Sequence, residues 1–269
     1  MSLASSPTLA RVSASGRYQG AVTRRALPEV DAEIAALPRP LRATLASIWL
    51  SQAATEARVA RSFGVIHRSL VRLDADPGLV ALAARAVDDE HRHAALCEEL
   101  AGRYAGRVVG PHASLPHQRP AHAEASSPAL RAALFVVGQC ALNETFASAY
   151  LDAARREAET PLARAALRAL LEDEVDHARI GWAYLSTLSP ALRAAVSDWL
   201  LPLVVCNLRE WRRLELPQDD ALAAHGVPPK ELALAALDAA ARELLVPAFR
   251  HVGLDTRALE RWIAAGLPT

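Results

Sequence analysis

The sequence predicts an all-helical domain, and composition and patterning both support this. Of its 269 residues, 52% are hydrophobic, and most of these are Ala and Leu, which are strong helix formers. Aromatic residues make up only 5%, and the β-branched residues that favour strands are sparse. Long amphipathic stretches are separated by segments that contain Pro and Gly. A chain of this length and composition can bury one large core, which excludes disorder throughout.

The charge balance and the cysteines exclude several classes of protein. Lys+Arg 30 and Asp+Glu 30 give a formal net charge of zero, so no basic field attracts nucleic acid or a membrane surface. The three cysteines, an odd and widely spaced set in apolar stretches, do not form a disulfide framework. No apolar run reaches the length expected of a transmembrane helix. We therefore expect a cytoplasmic protein with a disordered tail over residues 1–28 and a single domain over 29–269.

The first half of the predicted domain is a pair of antiparallel helices. An amphipathic stretch over 41–73 ends at Asp76-Pro77-Gly78, and a second helix runs over 79–104. Because the turn between them is short, the two helices lie side by side. The next segment, 106–128, is rich in Pro, His, Ser and Gly. It is too long for a hairpin and predicts a crossover to the other end of the domain.

A second antiparallel pair follows the crossover. It comprises a helix over 129–157 and another that ends near residue 188, with Thr160-Pro161 as its N-terminal cap. Two closely linked pairs joined by a long crossover predict a four-helix bundle over 41–188. Ser189-Pro190 and Pro228-Pro229 begin further helices, so residues 189–269 form a helical extension.

Ionisable residues recur at matching positions near the middle of these four helices. The second and fourth helices each carry Glu-x-x-His, as Glu90 with His93 and Glu174 with His177. Residues three apart share one helix face, so each pair can present a carboxylate and an imidazole to one metal ion. The first and third helices each contribute one central glutamate. The predicted ligand set is Glu56, Glu90, His93, Glu144, Glu174 and His177.

This pattern is specific because it occurs twice. With 9 His in 269 residues, a given Glu has His three positions later by chance about one time in thirty. A single occurrence would be read as a solvated surface pair. Four carboxylates and two imidazoles suit two first-row metal ions such as iron or manganese. Without cations, the buried carboxylates would repel one another.

With all six positions filled, the chain resembles the ferritin-like di-iron carboxylate superfamily over about 41–188. The motif Asp-Glu-x-Arg-His at 89–93 is similar to that of bacterial multicomponent monooxygenases, acyl-carrier-protein desaturases and ribonucleotide reductase small subunits. The resemblance implies a ferritin-like bundle in which Asp89 and Asp173 hydrogen-bond ligand histidines. The second copy departs from the motif, because Asp176 stands where Arg is usual.

Two further positions separate the subfamilies. Cys97 stands where reductase subunits carry their radical tyrosine, as in methane-monooxygenase-like hydroxylases, which disfavours a tyrosyl-radical role. Ser148 follows Glu144 by one turn, where such hydroxylases often have a threonine that can aid proton delivery. Cys97 and Ser148 are therefore the candidate catalytic residues, with a small core residue and a helix-packing residue as the simpler alternatives for these two positions. The residues expected to line a pocket beside the ligands are Gln52, Ala53, Ala60, Phe63, Cys140 and Ala141.

The resemblance implies a non-haem di-iron oxidase or oxygenase that uses O2 to oxidise a small organic substrate. Its cofactor would be two iron ions, with Mn/Fe or Mn/Mn as alternatives, and an electron-donor protein is a further expected partner. The residues after 188 could enclose a substrate pocket, and a homodimer is expected. Two other functions remain open: a ferroxidase or peroxide-scavenging protein, and a non-catalytic helical scaffold with a structural metal site.

Overall fold

The computed structural model describes residues 27–110, 122, 124–213 and 219–266. These residues form helices and connecting turns and contain no strand, which confirms the all-helical fold class. Most of the tail predicted over 1–28 lies outside them. Leu27 and Pro28 are described, and both pack on the domain: Leu27 is buried, and the Pro28 carbonyl accepts a hydrogen bond from Arg103 at 2.5 Å. A short helix, α1 (Asp31–Ala36), then precedes the first long helix.

The first predicted pair forms helices α2 (Arg39–Arg72) and α3 (Pro77–Ala105), which pack against each other. The Asp76 side chain caps α3 by accepting hydrogen bonds from the backbone N–H groups of residues 78 and 79. Helix α3 ends at Ala105 and is followed by Gly106, whose φ of 67° is the left-handed conformation that favours glycine at this position. Local capping thus determines the ends of α3.

The third predicted helix is interrupted. It consists of α4 (Pro128–Val136), a π-helical segment (Val137–Asn143) and α5 (Glu144–Glu157). The fourth, α6 (Pro161–Thr187), begins at the Thr160 cap. Most of the predicted crossover lies outside the described residues. Helix α6 packs on α5, on the π-helical segment and on α3, while α4 contacts α2.

The remaining helices cover the second pair. Helix α7 (Pro190–Arg212) packs against α4 and the π-helical segment. A 3-10 turn (Asp220–His225) contacts α2, α5 and α6. The last elements among the described residues are α8 (Lys230–Ala239), a second π-helical segment (Ala240–Leu245), α9 (Val246–His251) and α10 (Arg257–Ala264). The extension is therefore helical, as predicted, and part of it is packed directly on the interrupted helix.

Helix α7 is longer and more apolar than the sequence predicts. By length and composition alone it could cross a membrane, with 23 residues and a mean hydropathy of 1.4 over its most apolar window. Its length arises because the helix continues through Pro202. A mostly buried core helix of a soluble protein passes the same test; here 28% of that window is buried, and Val196, Leu200, Val204 and Leu208 belong to the apolar core. Cytoplasmic localisation and the lack of a membrane partner stay predictions.

Two apolar clusters lie on either side of a layer of buried ionisable residues. On α2, one cluster includes Leu45 and Trp49, and the other includes Phe63 and Ile66, with Glu56 between them. Helices α3 and α6 are divided in the same way. On each, the buried apolar residues before the Glu-x-x-His motif belong to one cluster, and those after the motif belong to the other. The ionisable layer is therefore shielded from water along the helix axes.

Candidate metal centre

The six predicted ligands meet in one buried cluster. None of their residues is more than 5% exposed. They form two groups, and within each group one potential ligand atom per residue lies within 4.8 Å of the others. Glu90 and Glu174 belong to both groups, whereas each group has its own lone glutamate and its own histidine. The groups are Glu56, Glu90, His93 and Glu174, and Glu90, Glu144, Glu174 and His177.

Both histidines turn the same ring nitrogen towards the carboxylates. His93 Nδ1 lies 3.3 Å from Glu174 Oε1 and 3.5 Å from Glu90 Oε2. His177 Nδ1 lies 3.0 Å from Glu90 Oε1 and 3.1 Å from Glu174 Oε2. Each imidazole therefore faces the two shared carboxylates at once, which is the orientation that a metal-binding nitrogen requires.

The other ring nitrogens face the two aspartates, and the pairing crosses between the motifs. His93 Nε2 lies 3.1 Å from Asp173 Oδ2, and His177 Nε2 lies 3.3 Å from Asp89 Oδ2. In the neutral imidazole that binds a metal ion, an Nε2–H that donates to a carboxylate leaves Nδ1 with the free lone pair. Each Asp thus sets the tautomer of the histidine on the opposite helix and links α3 to α6.

One arginine holds both aspartates. Arg92 donates from one guanidinium nitrogen to Asp89 Oδ1 at 2.5 Å and from another to Asp173 Oδ2 at 3.0 Å. Arg85 lies farther away, 3.4 Å from Asp89 and 3.9 Å from Asp173. The second motif has Asp176 in place of an arginine, and its carboxylate pairs instead with Arg179 at the surface. Only the first motif therefore supplies the arginine that bridges the two aspartates.

Each lone glutamate accepts a hydrogen bond from a glutamine amide. Gln52 Nε2 donates to Glu56 Oε1 at 2.5 Å, and Gln139 Nε2 donates to Glu144 Oε1 at 2.7 Å. Gln139 lies in the π-helical segment and was not among the predicted site residues. One signal in the sequence could have identified it: Gln precedes each lone Glu, by four residues in the first half and by five in the second.

The electrostatics of the cluster favour positive charge. Burial raises the pKa of Glu56 well above its usual value, and the charges of Glu90 and Glu174 raise it further. Burial likewise raises the pKa of Glu144, and the same two neighbours add to the shift. Neither lone glutamate is readily ionised unless a cation compensates its charge.

The histidine pKa values shift in the direction that supplies this compensation. Burial alone lowers the pKa of His177, but hydrogen bonds to Asp89 and Glu174 outweigh it and raise the pKa to about 12. The pKa of His93 is also raised, because Asp173 and Glu174 outweigh burial in the same way. Burial raises the pKa of Glu174, but the two histidines more than offset it and hold that pKa low. The two histidines thus hold protons that bound metal ions would have to replace.

The donor set and one unsatisfied carboxylate fit a metal ion. Glu90 is fully buried, and neither of its oxygens has an aligned hydrogen-bond donor among the described residues. His93 Nδ1 is also buried without such a partner. An isolated buried carboxylate costs several kcal/mol unless it is paired or coordinates a metal. The cluster could therefore hold a metal ion through its oxygen and imidazole ligands.

The other predicted site residues lie nearby but are less clearly assigned. Cys97 is fully buried, and burial together with the charge of Glu56 raises the pKa of its thiol, so the thiol stays protonated. Ser148 is partly exposed, yet its Oγ is buried and has no hydrogen-bond partner among the described residues. Neither observation tests a catalytic role.

The predicted pocket residues are mostly core residues. Ala53, Ala60, Phe63, Cys140 and Ala141 are at most 1% exposed, and Gln52 is half-buried with its amide on Glu56. The Phe63 ring lies 5.0 Å from that of His177, centroid to centroid. The two surface grooves described, beside residues 219–231 and along the outer face of α6, are lined by other residues. A substrate pocket beside the ligands stays a prediction.

No protein-family model matches this sequence, and no curated protein is significantly similar to it.

Proposed function

We propose that the protein is a non-haem dimetal oxidase or oxygenase that uses O2 to oxidise a small organic substrate, with the ligands arranged on a ferritin-like bundle. The observation that carries the proposal is the sharing of Glu90 and Glu174 by both four-residue groups. Two shared carboxylates, with one glutamate and one histidine for each ion, are the donor set expected of a carboxylate-bridged pair of metal ions. A single structural ion would not need the second set of ligands.

Two iron ions are the proposed cofactor, with Mn/Fe and Mn/Mn pairs as alternatives; when bound, they would supply the electrons for O2 reduction. The chain's own residues prepare the site for this chemistry. Asp89 and Asp173 hold the histidine tautomers, and the apolar clusters on both sides exclude water. An electron-donor protein, a homodimer and the identity of the substrate remain predictions beyond this site.

The test is anaerobic loading with Fe(II) followed by exposure to O2, in the intact protein and in Glu174→Ala. We expect two irons per chain and O2 consumption with a transient visible absorption in the intact protein, and loss of both in the variant. Glu172→Ala is the matched control, because Glu172 is an exposed glutamate on the same helix. It should behave as the intact protein does.

Three outcomes would contradict the proposal. Binding of one ion or fewer by the intact protein would refute the dimetal site. Two tightly bound ions without O2 consumption would favour a scaffold with structural metal. Turnover that needs only Fe(II) and O2 or peroxide, and that accumulates more than two irons per chain, would favour a ferroxidase or peroxide scavenger.

A further inference from the structure

We infer that Gln52 and Gln139 are a matched pair of positioning residues, which hold Glu56 and Glu144 so that each offers a single oxygen to its metal ion. The inference rests on the proposed dimetal site. Each amide is bound to the one carboxylate that its group does not share with the other group. The two amides therefore act on equivalent ligands in the two halves of the cluster.

The first amide follows ordinary helix geometry. Gln52 and Glu56 are four residues apart on α2, a spacing that places both side chains on one face. The amide of Gln52 donates to Oε1 of Glu56. Gln52 is half-buried, and its helix neighbours Trp49 and Ala53 belong to one of the apolar clusters.

The second amide depends on the π-helical segment. In an α-helix, residues five apart point about 140° away from each other, so Gln139 could not reach Glu144. The π-helical segment Val137–Asn143 has i→i+5 hydrogen bonding, which brings residues five apart onto one face. Gln139 is 5% exposed, and its amide donates to Oε1 of Glu144 at 2.7 Å. The segment thus reproduces, with one more residue, the arrangement on α2.

The amides have a direct consequence for the carboxylates. A hydrogen bond from an amide N–H to one carboxylate oxygen fixes the plane of the group. In both glutamates that oxygen is Oε1, so Oε2 is the oxygen without an amide partner. Terminal ligands that bind through one oxygen leave coordination positions for O2 or substrate, whereas two-oxygen binding would fill them.

The test measures binding of Mn(II) by titration calorimetry, together with the melting temperature of the metal-free protein. Gln→Met keeps the length of the side chain and removes the donor. We expect Gln139→Met and Gln52→Met each to lower the affinity for one of the two ions by about 10- to 100-fold and to leave the affinity for the other unchanged. The melting temperature of the metal-free Gln139→Met protein should fall no further than that of Thr145→Val, the control described next, because each variant removes one buried hydrogen bond.

Two controls separate positioning from a structural role. Thr145→Val removes a buried hydrogen bond to the Ala141 carbonyl, near the end of the π-helical segment, without removing a contact to a ligand. It should lower the melting temperature and leave Mn(II) affinity within about twofold of the intact value. Gln139→Met in a Glu144→Ala background should cause no further loss of affinity, because the amide then has no carboxylate to hold.

The inference is overturned if Gln139→Met binds both ions with the affinity of the intact protein, or if its effect persists in the Glu144→Ala background. Failure of the intact protein to bind two Mn(II) ions would instead remove the dimetal site itself, and with it the proposed function. Intact binding of two ions, combined with normal binding by both Gln→Met variants, would refute only the role of the amides.

Discussion

The two halves of the ligand cluster contain the same chemical groups on different backbones. In the first half, α2 and α3 run without interruption over 34 and 29 residues. In the second half, a π-helical segment divides the helix that carries Glu144, while α6 is continuous. Both halves nevertheless provide a glutamine amide, a lone glutamate and an Asp-Glu-x-x-His motif in the same relation to one another.

The difference shows that the side-chain arrangement, and not the backbone, is what the two halves share. The glutamine of the second half is one residue farther from its glutamate, and the π-helical segment compensates for this residue. The widened turn approaches α6 closely at Gly181, where an added Cβ would lie 2.3 Å from the Ala141 backbone nitrogen. The matching position on α3, four residues after its histidine, is Cys97. A side chain therefore fits at this position on α3, whose half of the cluster has no π-helical segment, but not at the matching position on α6.

Gly181→Ala should have the largest effect, on the half of the cluster that contains the π-helical segment. The new methyl group would meet Ala141 backbone atoms at 2.3 to 2.8 Å, so α6 or the π-helical segment must move. We expect a loss of about 1 to 3 kcal/mol or more in the free energy of unfolding, measured by denaturant titration, and weaker binding of one metal ion.

Gly64→Ala is the matched control on α2. Its Cβ would lie 3.5 Å from the nearest atom, at the end of the flexible Arg68 side chain, which is ordinary contact. Because alanine is the better helix former, this variant should be neutral or more stable by about 0.5 to 1 kcal/mol. Similar losses in both variants would show that the close approach at Gly181 has no special role.

Asp89 and Asp173 each contact the histidine of the other motif, and their Asn variants test these links between the two halves. Asp89 accepts from Arg92 through Oδ1 and faces the His177 ring through Oδ2, and Asn would replace one of these two acceptors by an amide donor, so Asp89→Asn should weaken Mn(II) binding by about 10- to 100-fold. We expect a smaller effect from Asp173→Asn, because its side chain is 20% exposed against 4% for Asp89 and water can replace a lost partner.

Asp176→Asn serves as the control for this pair. Its carboxylate is 41% exposed and contacts Arg179, so Mn(II) affinity should not change. An effect of Asp176→Asn as large as that of Asp89→Asn would contradict the assignment of the aspartates to the histidines, since general loss of charge on these helices would then explain both.

Metal affinity should rise with pH. Glu56, Glu144, His93 and His177 all have raised pKa values, so each holds its proton to a higher pH than the free side chain does, whereas each must be deprotonated to bind a cation. Mn(II) binding therefore releases protons, and its apparent affinity should increase between about pH 6 and pH 8. Calorimetry in buffers with different ionisation enthalpies measures the release.

The same measurement also compares the two halves of the cluster, because each half contains one glutamate and one histidine with a raised pKa. Glu56→Gln and Glu144→Gln should each reduce the number of protons released on binding, and by similar amounts. Binding without proton release in the intact protein would show that the ligands are already ionised in the metal-free state.

The smallest expected effect concerns the support that the extension gives to the interrupted helix. Trp211 Nε1 on α7 donates to Asn143 Oδ1 at 3.1 Å, and Asn143 directly precedes Glu144. Trp211→Phe should lower the free energy of unfolding by about 0.5 to 1.5 kcal/mol. Trp199→Phe is the comparison on the same helix, where the ring makes an edge contact with His122. Equal losses would mean that the bond to Asn143 adds nothing to stability.

Most helix ends and all six candidate ligands could be predicted because their signals are local. Asp76, Thr160 and Ser189 cap the helices that follow them, and each cap depends on atoms within three residues. The Glu-x-x-His spacing is equally local, since a helix places residues three apart on one face. The sequence alone therefore determined the long helices and the residues that meet in the cluster.

The tertiary structure decided how these residues are connected. Asp89 binds the histidine of the other motif, and Arg92 serves both aspartates, because these contacts cross between helices about 80 residues apart in the chain. Packing also decides that a π-helical segment forms opposite Gly181, because Gln139 reaches Glu144 only where α6 leaves room for a wider turn. Helical periodicity assigns residues to faces, but which faces meet, and how closely, depends on the contacts between helices.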